Sequence, residues 1–211
     1  MKKAVLALIM ATSVITGAVR AANFEQGVHY FEVMSPQPVQ TGDKIEVLEL
    51  FWYGCPHCFR LEPVIERWLE NGIPDNAEYV RLPAVLNPSW GFHARVYYTF
   101  EALGAVDSLH STFFDEIHVR RKPMRNLDQV AEFAGRYNIP RDRFDSAYNS
   151  FAVDSKTRHS QLVSGRYDAT GVPTFVVDGR YRASMSSAGG PQALMELVNF
   201  LVDKAAAERG T

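Results

Sequence analysis

Residues 44–58 decide the fold, and they read Lys-Ile-Glu-Val-Leu-Glu-Leu-Phe-Trp-Tyr-Gly-Cys-Pro-His-Cys. The apolar and β-branched run over residues 44–52 is typical of a buried strand, and Gly54 ends it. From Pro56 the apolar residues recur at helical spacing as far as Leu69. A strand that turns into a helix at a Cys-x-x-Cys pair is therefore the centre of the predicted fold.

The flanking sequence completes a small sheet. A strand over residues 77–82 follows the first helix, and such a strand-helix-strand unit pairs its strands in parallel through a right-handed crossover. Two short strands over residues 174–177 and 181–183 are joined by Asp178-Gly179, a dipeptide favoured in tight type I′ hairpins. A last helix is expected over residues 191–208.

Residues 88–165 carry helical patterns and no strand signal. We predict helices over residues 90–103, 108–119, 127–137, 141–151 and 154–167. Asp107 and Asn126 are expected N-caps, and Phe144, Tyr148 and Phe151 are expected to share one buried face. The sequence thus predicts an α/β protein in which residues 22–87 and 166–211 form one domain and residues 88–165 form an all-helical insertion.

Residues 1–21 are expected to be a cleavable secretory signal. Two lysines precede an apolar run over residues 4–15, and small residues follow it. Cleavage after Ala21 puts Val19 at the minus-three position, which suits the preference for small residues there. A membrane anchor is the alternative, but a span needs roughly 20 apolar residues, and Arg20 interrupts this run. We therefore expect an exported protein.

The composition bounds the class of protein. About 190 residues remain after the signal, and 46% hydrophobic content with 12% aromatic content is enough for a sizeable core. Loss of the signal removes three of the 22 basic residues and leaves 19 against 24 acidic ones, so nothing favours nucleic-acid binding. Only two cysteines occur, Cys55 and Cys58, and they form one tight pair.

The Cys55-Pro56-His57-Cys58 motif at a strand-to-helix junction predicts a redox-active disulfide. Unpaired backbone N–H groups and the helix dipole stabilise a thiolate at the helix N-terminus, so we expect a lowered pKa for Cys55. Pro56 suits the first helical position, and a protonated His57 adds positive charge. A stabilised thiolate favours the dithiol, which makes the disulfide a stronger oxidant. A substrate thiolate would attack Cys55, Cys58 would leave, and a second substrate thiol would release the oxidised substrate.

Two structural interpretations of the motif are weaker. A passive disulfide that closes a four-residue loop contributes only roughly 2 kcal/mol. Zinc binding by Cys55, Cys58 and His57 is disfavoured, because structural zinc sites take four ligands from two separated pairs and the sequence has no second pair. The sequence gives no reason to expect a metal or an organic cofactor.

On these residues the chain resembles the DsbA family. The likeness runs through residues 46–58, through Thr-Gly-Val-Pro-Thr-Phe at 170–175 and through Ser-Ala-Gly-Gly at 187–190, and it covers essentially the whole chain after the signal. The resemblance implies a thioredoxin-like fold interrupted by a helical domain. It also implies a periplasmic location.

The resemblance further implies an activity and partners. Cys55 would be the exposed nucleophile, Cys58 its buried partner, and His57 would tune Cys55. The Cys55-Cys58 disulfide would pass to unfolded or folding exported proteins with free cysteines, which bind an apolar surface around the site. A quinone-linked inner-membrane partner, a DsbB-like reoxidase, would then regenerate it.

Three further residues gain roles from the resemblance. Val172 and Pro173 would form a cis-proline loop that offers backbone groups to the client chain, whereas the residues alone favour a trans Pro173 that opens a strand. Glu49 would lie beneath Cys58 and assist its proton transfer. From the residues alone, Glu49 is better placed at an exposed strand end.

Other suggestive residues have ordinary interpretations. Hydrogen bonding or a solvated helix face is expected for four histidines: His93, His110, His118 and His159. The acidic segment 115–118 only superficially resembles a metal site, and the basic run 120–122 is typical of a solvated helix end. Core packing is expected for five aromatic residues: Trp90, Phe92, Tyr97, Tyr98 and Phe100.

Two other functions remain open. A periplasmic disulfide isomerase or reductase could use the same fold, but the isomerases carry a separate dimerisation domain, and residues 22–54 are too few for one. The protein is therefore expected to be a monomeric oxidase. A chaperone that grips unfolded chains without redox chemistry is the alternative from a different class.

Overall fold

The computed structural model describes residues 24–210, so the expected signal over residues 1–21 lies outside the described residues. The strands are β1 (Tyr30–Glu32), β2 (Ile45–Phe51), β3 (Ala77–Pro83), β4 (Thr174–Val177) and β5 (Tyr181–Ser184). The helices are α1 (Pro56–Asn71), α2 (Gly91–Ala102), α3 (Val106–His118), α4 (Leu127–Gly135), α5 (Arg141–Tyr148), α6 (Phe151–Ser164), α7 (Met185–Ala188) and α8 (Pro191–Arg209). Within this part of the chain, no helix is long and apolar enough to cross a membrane.

The strands form one sheet in the order β1-β5-β4-β2-β3. The β2 and β3 strands are parallel, as the crossover through α1 requires, and the other neighbours are antiparallel. Every residue of β2 is buried, which explains its nearly continuous apolar sequence. The β4–β5 turn has φ of 56° at Asp178 and 64° at Gly179, so the predicted hairpin is confirmed.

Apolar side chains cover both faces of the sheet. On one face, α1 and α8 pack over Ile45 and Phe175. On the other, Leu48 and Val176 pack against the end of α6. A third cluster joins Phe51 and both cysteines to the aromatic side chains of α2, α3 and α4, including the buried Tyr97, Tyr98 and Phe100. The helices between β3 and β4 therefore pack directly against the end of β2 that carries the motif.

Most helix ends differ from the sequence prediction by one to three residues, and two specific expectations about the helices are wrong. Asp107 is not an N-cap, because α3 begins at Val106 and Asp107 lies in its first turn, where its negative charge suits the helix dipole. Phe151 is 81% exposed and does not share the buried face of Phe144. The reason is Ser150, whose side chain accepts from Val153 N and starts a new helix, α6, with a different facing.

Candidate active site

The Cys-x-x-Cys motif lies where β2 turns into α1. Cys55 is the N-cap of α1 with extended backbone angles (φ −88°, ψ 116°), and Pro56 takes the first helical position. The backbone N–H of Cys58 donates to Cys55 Sγ at 3.4 Å, so an amide without a helical partner faces the sulfur. Both cysteines are thiols in this structure.

The two thiols have opposite electrostatic environments. The pKa of Cys55 is lowered to about 6, against the effect of burial. The largest cause is the hydrogen bond from the Cys58 thiol, followed by the backbone N–H groups of Cys58 and His57 and the charge of His57. Burial raises the pKa of Cys58 far above its usual value, and the hydrogen bond to Cys55 raises it further. At neutral pH the dithiol therefore carries its negative charge on Cys55.

Cys55 is less exposed than the family resemblance implies. Its exposed fraction is 6%, against 0% for Cys58. The reason is the loop opposite the motif, where the Cys55 thiol donates to the Val172 carbonyl at 3.3 Å. The Val172–Pro173 peptide bond is cis, as the resemblance implies, so the trans Pro173 expected from the residues alone is wrong.

His57 is held by a residue just beyond the motif. Both side chains are exposed, and Arg60 Nη2 donates to His57 Nδ1 at 2.9 Å. A guanidinium only donates, so this hydrogen bond belongs to the neutral imidazole and is lost when His57 carries the charge that acts on Cys55. Arg60 thus adds a positive charge beside the motif.

Glu49 is buried in the sheet and does not lie at an exposed strand end. The parallel strand β3 covers it, because the Tyr79 hydroxyl donates to Glu49 Oε2 and Arg81 Nε lies 3.8 Å from the same oxygen. Burial and the charge of Glu62 raise the pKa of Glu49 to about 8, against the effects of Arg81 and Tyr79. The charge of Glu49 in turn raises the pKa of Cys58.

A chain of buried and partly buried polar contacts leads from Glu49 into the helical block. Arg81 Nη2 donates to Glu62 Oε2 at 3.2 Å, and His110 Nε2 donates to Glu62 Oε1 at 3.2 Å. The Tyr53 hydroxyl donates to His110 Nδ1 at 2.9 Å. The sequence analysis missed Glu62 and Arg81 and left His110 without a role. The one available signal was Glu62, an acid among the apolar residues of α1.

Comparison with known proteins decides the family. A family model described as a DSBA-like thioredoxin domain matches residues 69–199. The thiol:disulfide interchange protein DsbA of Pseudomonas aeruginosa is 37% identical over 205 residues, which cover 97% of this chain and 97% of that protein. The chain belongs to the DsbA family. DsbA of Burkholderia cepacia is 32% identical over 96% of each chain. A crystal structure of Pseudomonas aeruginosa DsbA gives a TM-score of 0.83 at 38% identity, covering 89% of this chain and 97% of that chain.

DsbA membership gives the function in outline. The protein is a thiol:disulfide oxidoreductase that forms disulfide bonds in proteins with cysteines, on a thioredoxin-like fold. DsbA proteins are periplasmic and are made with a signal peptide, which agrees with the expectation for residues 1–21. They are also a known example of a strongly lowered cysteine pKa, in agreement with the direction found at Cys55.

Trp52 lies over the turn that precedes the DsbA motif. A Cβ atom at Gly54 would overlap the indole ring of Trp52, so this turn has no room for a larger residue. The ring stacks on Trp90 with centroids 4.5 Å apart and an interplanar angle of 4°. The stack joins the turn before Cys55 to the start of α2.

A groove of about 950 Å³ opens beside the motif of this DsbA protein. His57 and Arg60 line one side, Val172 and Pro173 the middle, and the segment 184–192 the other side. Among the described residues that line it, none is acidic. The groove therefore offers backbone groups, small side chains and one permanent positive charge next to Cys55.

The remaining residues that the sequence analysis named form hydrogen bonds or ion pairs, or are exposed to solvent. His93 Nε2 donates to the Met124 carbonyl at 3.0 Å, and His118 Nε2 donates to the Tyr53 carbonyl at 2.8 Å. His159 is exposed. Two cations of the 120–122 run pair with the buried Glu116. Within residues 24–210, no group of three or more His, Cys, Asp or Glu could hold a metal ion.

Proposed function

We propose that the protein oxidises its substrates through a mixed disulfide at Cys55. A substrate thiolate attacks Cys55 Sγ of the disulfide, the S–S bond breaks, and Cys58 leaves with the electron pair. A second substrate thiolate attacks the substrate sulfur and displaces Cys55 as a thiolate, which leaves the substrate oxidised and the protein reduced. The supporting observation is the opposite shift of the two thiol pKa values, lowered at Cys55 and raised at Cys58.

Glu49 is proposed to supply the proton that Cys58 takes up when it leaves. Its raised pKa, about 8, means that the carboxyl group is mostly protonated at neutral pH and has a proton to give. The reverse transfer accompanies reoxidation. Supporting this role, the charge of Glu49 raises the pKa of Cys58, and the charge of Cys55 raises the pKa of Glu49.

Val172 and Pro173 are proposed to position the client chain. The Val172 carbonyl already accepts the Cys55 thiol hydrogen, so it lies within hydrogen-bond reach of the sulfur that the client attacks. An extended client segment could pair with this loop along the groove beside His57. Pro56 contributes by leaving the amides of His57 and Cys58 directed at the sulfur.

The wider setting is also part of the proposal. We propose that residues 22–87 and 166–211 form the thioredoxin-like domain around an inserted helical domain of residues 88–165. The signal is proposed to end at Ala21, the mature protein to be a monomer, and a quinone-linked DsbB-like membrane protein to reoxidise it. An equilibrium sedimentation measurement of the mature protein would contradict the monomer if it gave a dimer.

The direction of the reaction is tested by equilibrating the mature protein with defined ratios of reduced and oxidised glutathione. A potential well above the glutathione poise supports disulfide donation, and one in the thioredoxin range supports a reductase. Cys55→Ser should abolish oxidation of a reduced client and leave client binding intact. If oxidation survived, the proposed mixed disulfide at Cys55 would be wrong. If the wild-type protein bound the client without oxidising it, the chaperone alternative would stand.

A further inference from the structure

The buried acids beneath the site share one cation. Arg81 Nη2 donates to Glu62 Oε2 at 3.2 Å, and Arg81 Nε lies 3.8 Å from Glu49 Oε2. Both carboxyl groups are buried, with Glu49 at 0% and Glu62 at 3% exposure. One guanidinium compensates one buried carboxylate, so the second acid is strongly favoured in its neutral form. Which acid stays neutral determines the charge beside the cysteines.

The hydrogen bonds of the two acids are unequal. Both oxygens of Glu62 accept a hydrogen bond, one from His110 and one from Arg81. Glu49 accepts one, from Tyr79, and its Oε1 atom has no hydrogen-bond partner within residues 24–210. Hydrogen bonds donated to the two oxygens stabilise an ionised carboxylate more than they stabilise a neutral carboxylic acid. The hydrogen bond from His110 is therefore the difference that favours charge on Glu62.

His110 is fixed in the orientation that this bond requires. A carboxylate only accepts, so His110 Nε2 carries the ring proton directed at Glu62, and Nδ1 accepts from the Tyr53 hydroxyl. The rings of Phe51 and Phe114 pack edge-on against the imidazole with centroids 5.1 Å and 5.2 Å away. The titratable and charged groups that face His110 from the neighbouring elements are Tyr53, Tyr97, Glu62, Glu66 and Arg81.

We propose that His110 is a positioning residue of the redox site: by donating to Glu62 it keeps the buried charge there and keeps the proton on Glu49. This inference rests on the proposed role of Glu49 and adds a residue of the helical block to it. Burial opposes ionisation of Glu62, but the hydrogen bond from His110 and the charge of Arg81 outweigh it and lower the pKa of Glu62. Burial lowers the pKa of His110, so the imidazole is a neutral donor.

If the hydrogen bond from His110 to Glu62 is removed, we expect one proton to move between the two buried acids. Glu62 loses a hydrogen bond and becomes the better proton acceptor, so the proton passes from Glu49 to Glu62, and Arg81 then compensates Glu49. The total charge of the cluster is unchanged. The new negative charge on Glu49 opposes the thiolate of Cys55, because the two groups interact electrostatically. The dithiol becomes less stable and the disulfide a weaker oxidant.

The test is His110→Leu in the full mature protein, with the Glu49 carboxyl titrated by carbon NMR and the disulfide equilibrated with glutathione. The titration midpoint of Glu49 should fall from about 8. The equilibrium constant should shift about tenfold toward the protein disulfide, which corresponds to ~30 mV. His110→Gln keeps a donor and an acceptor and should restore both values. His93→Leu removes a buried histidine that does not contact the acids and should change neither.

The inference is overturned if folded His110→Leu leaves the Glu49 midpoint in place, or if His110→Gln shifts it as far as leucine does. Should His110→Leu fail to fold, Glu62→Gln takes its place, since loss of the competing acid must also lower the Glu49 midpoint; an unchanged midpoint there overturns the inference. Glu49→Gln separates the two proposals. Glutamine is neutral like the protonated acid but has no proton to give, so if Glu49→Gln oxidises a reduced client as fast as the wild-type protein does, the proposed role of Glu49 fails, whatever the NMR titration shows.

Discussion

Cys55 gains its low pKa from groups that are fixed by its position at the start of α1. The Cys58 thiol, two backbone amides and His57 all act on one sulfur atom. They favour the thiolate and therefore the dithiol form of the protein. The lowered pKa thus also predicts how the stability of the dithiol form depends on pH.

The free energy of unfolding of the dithiol form, relative to the disulfide form, should decrease as pH falls. Cys55 has a pKa of about 6 in the folded protein and about 8.5 when unfolded, so its stabilising contribution is complete above the unfolded value. It is lost as pH falls through 6, with a total change of roughly 3 kcal/mol at most. Urea unfolding of both redox forms at a series of pH values measures this. Measured against the wild-type disulfide form, Cys55→Ser should lack this dependence; its persistence would contradict the assignment.

His57 should be replaceable without loss of the fold, at a cost in oxidising power. Its side chain is exposed, and its charge is one of the groups that lower the pKa of Cys55. In His57→Phe we expect the pKa of Cys55 to rise by up to about one unit, which lowers the potential by ~30 mV. Thiolate absorbance and glutathione equilibration measure the two quantities. Both would have to stay unchanged to contradict the prediction.

The helices show which local signals were readable in the sequence and which were not. Asn126 was predicted as an N-cap and accepts from Gln129 N at 3.0 Å, because that hydrogen bond is local. The short elements β1 and α7 were not predicted. A three-residue edge strand forms only because β5 is present to pair with it, and α7 has only four residues.

The boundary between α5 and α6 depends on Ser150. Its side chain accepts from Val153 N at 3.3 Å and satisfies one of the first amides of α6. Ser150→Ala should lower the free energy of unfolding by about 1 kcal/mol, as measured in urea. Ser155→Ala, at an exposed position within the same helix, serves as the matched control and should change stability by only a few tenths of a kcal/mol. Equal effects of the two substitutions would contradict the cap.

Across the whole molecule, the redox motif and the helical block share one apolar cluster. Both cysteines belong to it, together with side chains from α2, α3, α4 and α6. Phe113 on α3 is fully buried, and its ring lies 4.7 Å from that of Tyr53, two residues before Cys55. The two parts of the chain are therefore expected to unfold in one transition.

Phe113→Ala should lower the free energy of unfolding by about 3–5 kcal/mol, because it leaves a cavity in this cluster. Phe151→Ala removes the same side chain at a position with 81% exposure and should change stability by less than about 0.5 kcal/mol. Circular dichroism and tryptophan fluorescence should report the same transition for each variant. Separate transitions for helix content and fluorescence would contradict the shared core.

The sequence predicted the site where its chemistry is local and failed where it depends on distant packing. The Cys55–Cys58 motif, the strand before it and the helix after it lie within one short stretch. Glu62 and His110 are 48 residues apart in sequence, and their contact exists only because α3 packs on α1. No pattern along the chain predicts such a pair, and Glu49 needed the family resemblance to be placed near the cysteines.

The stack of Trp52 on Trp90 gives the molecule an optical reporter of its own chemistry. Trp52 lies over Gly54, directly before Cys55, whereas the third tryptophan, Trp68, donates to Asn199 on α8 and packs in a different core cluster from the cysteines. Indole emission depends on the groups around the ring, and Trp52 packs against the apolar cluster that contains both cysteines. Turnover of each substrate should therefore be visible as a change in the protein's own fluorescence, without a label, in a single stopped-flow trace.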